Sequence, residues 1–118
     1  MQYLLLIYGN EKAAADMSDA DKGAHFMAYK TFTDDIKSSK QYVGGNALQP
    51  IGTATTVRVR NGKTQTTDGP FAETREQLGG YYLVEARDLD EATKIAARIP
   101  GAAIGSIEVR PVMVIPGM

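Results

Sequence analysis

Two short runs, "YLLLIY" from Tyr3 to Tyr8 and "YYLVEA" from Tyr81 to Ala86, do most to narrow what this chain folds into. Each is one strand long and rich in β-formers, and each is apolar at most positions rather than at every second one. Such strands carry apolar side chains on both faces of a sheet, and both faces then need cover. The sequence supplies two amphipathic helices for that purpose. The first starts at Ser18, with Asp21 in its first turn, and runs to about Lys40. His25, Tyr29, Phe32 and Ile36 recur on one of its faces, while Lys22, Lys30, Asp34 and Lys37 lie mostly off it. Gly23 weakens the first turn. The second is capped by Asp88 with Glu91 at the third position, carries Leu89, Ala92, Ile95, Ala96 and Ile99 on one face, and stops at Pro100-Gly101.

The rest of the chain reads as strands. "YVGGNALQP" is extended, interrupted by Gly44-Gly45 and stopped by Pro50. Thr55 to Arg60 alternates Val with Arg and passes through Asn61-Gly62 into Lys63 to Thr67. Asn-Gly between alternating segments marks a hairpin, because both residues tolerate the positive φ of a type I′ turn. "SIEVRPV" closes the chain as a strand that Pro111 ends or pushes to a sheet edge. The order is β, α, β, hairpin, β, α, β. Without the hairpin it is β-α-β-β-α-β, the ferredoxin-like arrangement of an α+β fold. Two helices cover only one face of that sheet, so the expectation is a homodimer whose sheets face one another.

Composition sets the class. At 118 residues the chain is one domain's worth, expected to span 1–118, and 43% hydrophobic with 23% charged residues is ordinary for a soluble protein. A formal charge of −1, with Lys and Arg scattered, lacks the basic patch of a nucleic-acid binder. No apolar run reaches the length of a membrane span, and no basic segment precedes Tyr3 as a signal peptide requires. The absence of cysteine excludes disulfides and thiolate chemistry and fits a cytoplasmic protein. With one histidine besides, a transition-metal site lacks ligands, and no cofactor fingerprint is present: neither GxGxxG nor a Gly-Lys-Ser/Thr loop occurs.

The segment "TDGPFAETREQLGGYYLVEA", preceded by "ATTVRVRNGKTQ" and followed by "DLDEATKIAARIP" and "GSIEVRPV", closely resembles the YCII-related family in its DGPF-motif branch. "MQYLLLIYG" and the Gly44 to Pro50 stretch join the resemblance, which runs from Tyr3 to Val112. It implies a dimeric α+β barrel. Some members of the wider family pair a helix-borne histidine with an aspartate and are suspected small-molecule enzymes. DGPF-type proteins also resemble products encoded beside, or fused to, extracytoplasmic-type sigma factors, which implies a regulatory, non-catalytic ligand-binding alternative. The helix position held here by His25 need not be histidine in this branch.

The candidate residues follow from both readings. Asp68 is expected to accept backbone N–H bonds from the start of a short helix after Pro70, with Phe71 or Ala72 donating; in the alternative it moves a proton at a pocket mouth. Gly69 suits the position before proline. His25 shares a helical face with Tyr29 and, histidine being the side chain whose ordinary pKa lies nearest neutrality, is the proton partner Asp68 would have. Gly44-Gly45 and Gly79-Gly80 mark either bulges or room for a ligand against the sheet. Tyr8, Tyr29, Tyr81 and Tyr82 serve the core and interface or line the pocket. Glu85, Glu108 and nearby arginines read as ion pairs across strands or between subunits, with a carboxylate pair doing acid-base work as the alternative. The pocket is expected between the Ser18 to Lys40 helix and the sheet, near the Asp68 turn, with an unknown small molecule in it.

Overall fold

Alternation along the first strand sends Tyr3, Leu5 and Ile7 to one side of a sheet and Leu4, Leu6 and Tyr8 to the other. A computed structural model describes residues 1–118. In chain order its elements are β1 (Gln2–Gly9), α1 (Glu11–Ala15), α2 (Asp19–Ser38), β2 (Tyr42–Ala47), β3 (Thr55–Arg60), β4 (Lys63–Asp68), β5 (Gln77–Glu85), α3 (Leu89–Ala97) and β6 (Ser106–Pro111), with short 3-10 turns at Ile51–Thr53 and Pro100–Ala103. The fold is mixed α+β. One four-stranded antiparallel sheet has the order β2-β5-β1-β6, and β3 and β4 form a separate two-stranded sheet. β6 lies at an edge, where Pro111 removes no ladder bond that matters. No helix is long and apolar enough to cross a membrane.

The helices begin where side chains satisfy their first free N–H groups. Ser18 Oγ accepts from the Asp21 N–H at 3.1 Å, and the Asp88 carboxylate accepts from the Glu91 N–H at 2.9 Å. α1 was not expected from the sequence pattern. Asn10 Oδ1 caps it by accepting from the Ala13 N–H at 2.9 Å. Five residues are far below the length at which a helix persists alone, so tertiary bonds hold it: the Glu11 N–H donates to Gln77 Oε1 at 3.0 Å, and the Glu11 carboxylate accepts from the Ile51 N–H at 3.0 Å.

The core lies between one face of the sheet and helices α2 and α3. Its ten residues include Leu5 and Val84 from the sheet, Phe32 and Ile36 from α2, and Ile95 and Ile99 from α3 and its end. Leu5, Ile36, Val84 and Ile99 are sealed from solvent, each contributing roughly 1.5–3 kcal/mol by burial. Leu89, expected on the same face of α3, is instead 55% exposed. On the opposite face of the sheet, Leu4 stands beside Leu83 and Leu6 beside Tyr81, rimmed by Glu108 and Arg110. These four apolar residues are half-buried on the side away from the helices.

The hairpin β3–β4 is an arm. Asn61 and Gly62 turn it with φ of 52° and 74°, both positive as a type I′ turn requires. Its register puts Thr55, Val57 and Val59 on one face with Asp68, Thr66 and Thr64, and Arg58 and Arg60 on the other with Gln65 and Lys63. Val57 and Val59 are each 59% exposed. The arm stretches the molecule: the radius of gyration is 16.4 Å, against about 13.5 Å for an ordinary domain of this length.

The segment after Asp68 forms no helix. Gly69 has a φ of 95°, a region closed to side chains. Its N–H donates to the Ala54 carbonyl at 2.7 Å, and its carbonyl accepts from the Thr56 hydroxyl at 2.9 Å. Asp-Gly-Pro therefore stitches shut the base of the arm, while Phe71, just beyond, is 79% exposed.

Candidate functional site

Period-two alternation in β5 points Tyr82 and Val84 at the helices, and helical spacing in α2 stacks His25, Tyr29 and Thr33 on the side facing them. Between them, α1 and the sheet leave a cleft of about 810 Å³. Its α2 wall carries Lys22, His25, Phe26, Tyr29 and Thr33; α1 adds Ala13, Ala14 and, just past its end, Met17. The sheet forms the floor with Ile7, Gly45, Ala47, Gly79, Gly80 and Tyr82. Phe26 stands at the lip, 70% exposed. A shallower depression of about 390 Å³ on the outer flank of α2 is crossed by the exposed Lys30–Asp34 pair at 2.9 Å.

The glycines make the floor. A β-bulge lies opposite Ile7/Tyr8, where Gly79 is the extra residue in β5. A second irregularity lies between Tyr42 and Gly44. Where β2 meets β5, a Cβ on Gly45 would stand 2.8 Å from the Tyr81 carbonyl oxygen, and one on Gly80 would stand 2.9 Å from that of Asn46. Gly79 sits at the bulge, and Gly45, Gly79 and Gly80 present backbone alone to the cleft. Gly44 differs, since a Cβ there meets nothing within 4 Å and it does not line the cleft.

Aromatic rings frame the interior. His25 meets the Tyr29 ring edge-on, with centroids 5.0 Å apart. Tyr82 packs edge-on to Phe32 at 5.2 Å and to Tyr42 at 6.3 Å. The Tyr29 hydroxyl accepts from the Gly101 N–H at 3.2 Å, and the Tyr82 hydroxyl lies 2.6 Å from Thr33 Oγ1. Burial pushes the Tyr29 phenol above its ordinary value of 10.0, opposed by the Gly101 N–H and reinforced by nearby Tyr82. Burial likewise raises Tyr82, reinforced by nearby Tyr42. Both are neutral phenols at physiological pH.

The expected residues separate. His25 and Tyr29 face the cleft. Asp68 is exposed at the end of β4, opposite Thr55, and neither it nor Gly69, Pro70 or Phe71 lines the cleft. Within one chain the structure does not bring His25 and Asp68 together. Thr33 and Gly101 also line the cleft, neither being expected there from the sequence, although Thr33 at i+4 from Tyr29 carries the same helical signal as its neighbours. No cluster of three or more His, Cys, Asp or Glu side chains has the spacing to hold a metal ion.

The YCII-related domain matches residues 1–116. The chain belongs to the YCII-related family. One relative, an uncharacterized protein of Rhizobium meliloti (strain 1021), is 34% identical over 119 residues, covering 94% of this chain and 91% of that protein. Among solved structures, the 5-chloro-2-hydroxyhydroquinone dehydrochlorinase of Burkholderia phenoliruptrix AC1100, in complex with 2,5-dihydroxybenzoquinone, is similar with a TM-score of 0.55 over 96% of this chain and 94% of that one. At 13% identity that likeness speaks for the fold: the YCII-related chain and the dehydrochlorinase share an α+β architecture.

Proposed function

We propose that this YCII-related protein is an enzyme acting on a small, flat organic molecule held in the cleft, with His25 as its proton-transfer group. The observation that carries this is the setting of the chain's single histidine on the wall of a deep, largely apolar cleft with tyrosine sides and a glycine floor. The glycine positions in the floor leave room for a planar ring, and apolar walls with a few polar groups are the usual make-up of a ligand site. Hydroxylated rings or quinones are the substrate class we favour, with the dehydrochlorinase as supporting analogy. Imidazole takes a proton from a ligand hydroxyl or activated carbon and returns it later in the cycle.

Asp68 enters this reading through a second copy of the chain. We infer a ferredoxin-like subunit, for which the β2-β5-β1-β6 order is the support, paired into a dimeric α+β barrel through the face of Leu4, Leu6, Tyr81 and Leu83. The arm supports pairing independently. A two-stranded ribbon is marginal alone, and this one has a Val/Thr face with nothing of its own chain beneath it. Asp68 lies on that face, so an arm laid on the partner carries the carboxylate to the partner. The run from Asp68 to Gly80 favours the DGPF-motif branch, and the lack of cysteine favours the cytoplasm.

The test is turnover and binding of a panel of hydroxyquinols and hydroxyquinones, followed by absorbance and by NMR of the His25 ring. His25→Ala is expected to lower kcat by about 10²-fold or more with a smaller change in KM. Unchanged kcat sinks the assignment. Absence of binding across the panel, together with capture of a sigma factor from the native host, supports the regulatory module instead.

A further inference from the structure

The hydroxyl groups on the wall of the cleft have a fixed direction. Thr33 Oγ1 lies 2.8 Å from the Tyr29 main-chain carbonyl, which only accepts, so the threonine's one hydrogen is committed there. The 2.6 Å contact between Thr33 and Tyr82 must then be made with the hydrogen of Tyr82. Tyr82 is thereby used as a donor and turns an oxygen lone pair toward its surroundings.

Tyr29 is the reverse case. Its oxygen accepts from the Gly101 N–H, and its own hydrogen meets no acceptor in the protein. Gly101 makes this approach possible, since a Cβ at that position would stand 2.6 Å from the Tyr29 hydroxyl oxygen. An N–H donated into a phenol oxygen polarises it and strengthens the O–H as a donor in turn. The ring that carries this free donor touches His25, with centroids 5.0 Å apart.

We propose that Tyr29 donates a hydrogen bond to an ionised oxygen of the ligand, a phenolate or enolate, while Tyr82 accepts from a second, protonated ligand oxygen. The assignment rests on the cleft being a small-molecule site and specifies what that molecule carries: a flat ring with one oxygen that ionises and another that keeps its proton. When His25 takes the proton from the first oxygen, the electron pair of that O–H bond stays on the ligand, and Tyr29 stabilises the charge left there. Burial keeps Tyr29 and Tyr82 protonated through neutral pH, so the donor is present when the charge forms.

The probes are 4-nitrophenol and 4-nitrocatechol, whose absorbance reports ionisation, titrated into the intact protein with NMR of the His25 and Tyr82 rings alongside. Bound 4-nitrophenol is expected to be a stronger acid than free by about tenfold, the scale of one hydrogen bond to a charged group. Tyr29→Phe should bind the probe without that shift. Gly101→Ala should also lose it, although the tyrosine remains. Tyr82→Phe should keep the shift and lose the preference for 4-nitrocatechol over 4-nitrophenol. A wild-type shift retained in folded Tyr29→Phe, with the His25 resonance moving on binding, overturns this assignment alone. If neither probe moves His25 or Tyr82 in any variant, the small-molecule reading of the cleft fails and takes this assignment with it.

Discussion

At the scale of single residues the cleft is governed by who donates to whom. Tyr29 and Tyr82 also tie stability to alkaline pH. Burial, the leading cause, raises both phenols above 10.0 in the folded state. Above pH 10 the unfolded chain therefore releases protons that the native chain retains, and native stability falls as pH rises toward the higher folded values. The contribution is complete below pH 10 and is lost above it. Thermal melts from pH 8 to pH 11 should show a steeper alkaline decline for the wild type than for Tyr29→Phe/Tyr82→Phe; equal slopes would refute the linkage. His25 and Tyr29 were legible as candidates because helical spacing put them with Phe32 and Ile36. Asp68 was not placeable in the same way: its partners are fixed by the arm's register, which local spacing does not connect to α2.

Among the elements, those with strong periodicity or a special backbone requirement could be read directly. Asn61-Gly62 demanded positive φ at two positions, and the structure has it. α2 and α3 announced themselves by a cap and an apolar stripe. α1 escaped because "EKAAA" has no stripe to show over five residues, and its support comes from Gln77 and Ile51, far along the chain. The helix expected after Pro70 does not form, because Gly69 spends its N–H and carbonyl on the arm's own base. The arm yields an element-scale prediction. Val57→Asp with Val59→Asp should leave the core folded by circular dichroism yet abolish the proposed dimer in sedimentation. A dimer that survives both charges would place the interface elsewhere.

At the scale of the whole molecule, β1 and β5 were legible as strands apolar on both faces, and the structure sets them side by side in the middle of the sheet. The cleft itself was not legible, since it is assembled from α1, α2, β2, β5 and the turn at Gly101, brought together only by the completed fold. A monomer in solution should scatter with a radius of gyration near 16.4 Å; a dimer that buries the arms should show twice the mass, and a concentration-independent monomer would remove the case for pairing. The glycine floor has a consequence for how such a protein diversifies. Gly45 and Gly80 are locked by the carbonyls of the facing strand, so at those two floor positions no side chain can be added without parting the strands. Innovation is channelled onto α2, where Lys22, Phe26 and their neighbours are exposed and free to change. Descendants of this scaffold should differ in what they recognise through one rewritten helix above an unaltered backbone bed.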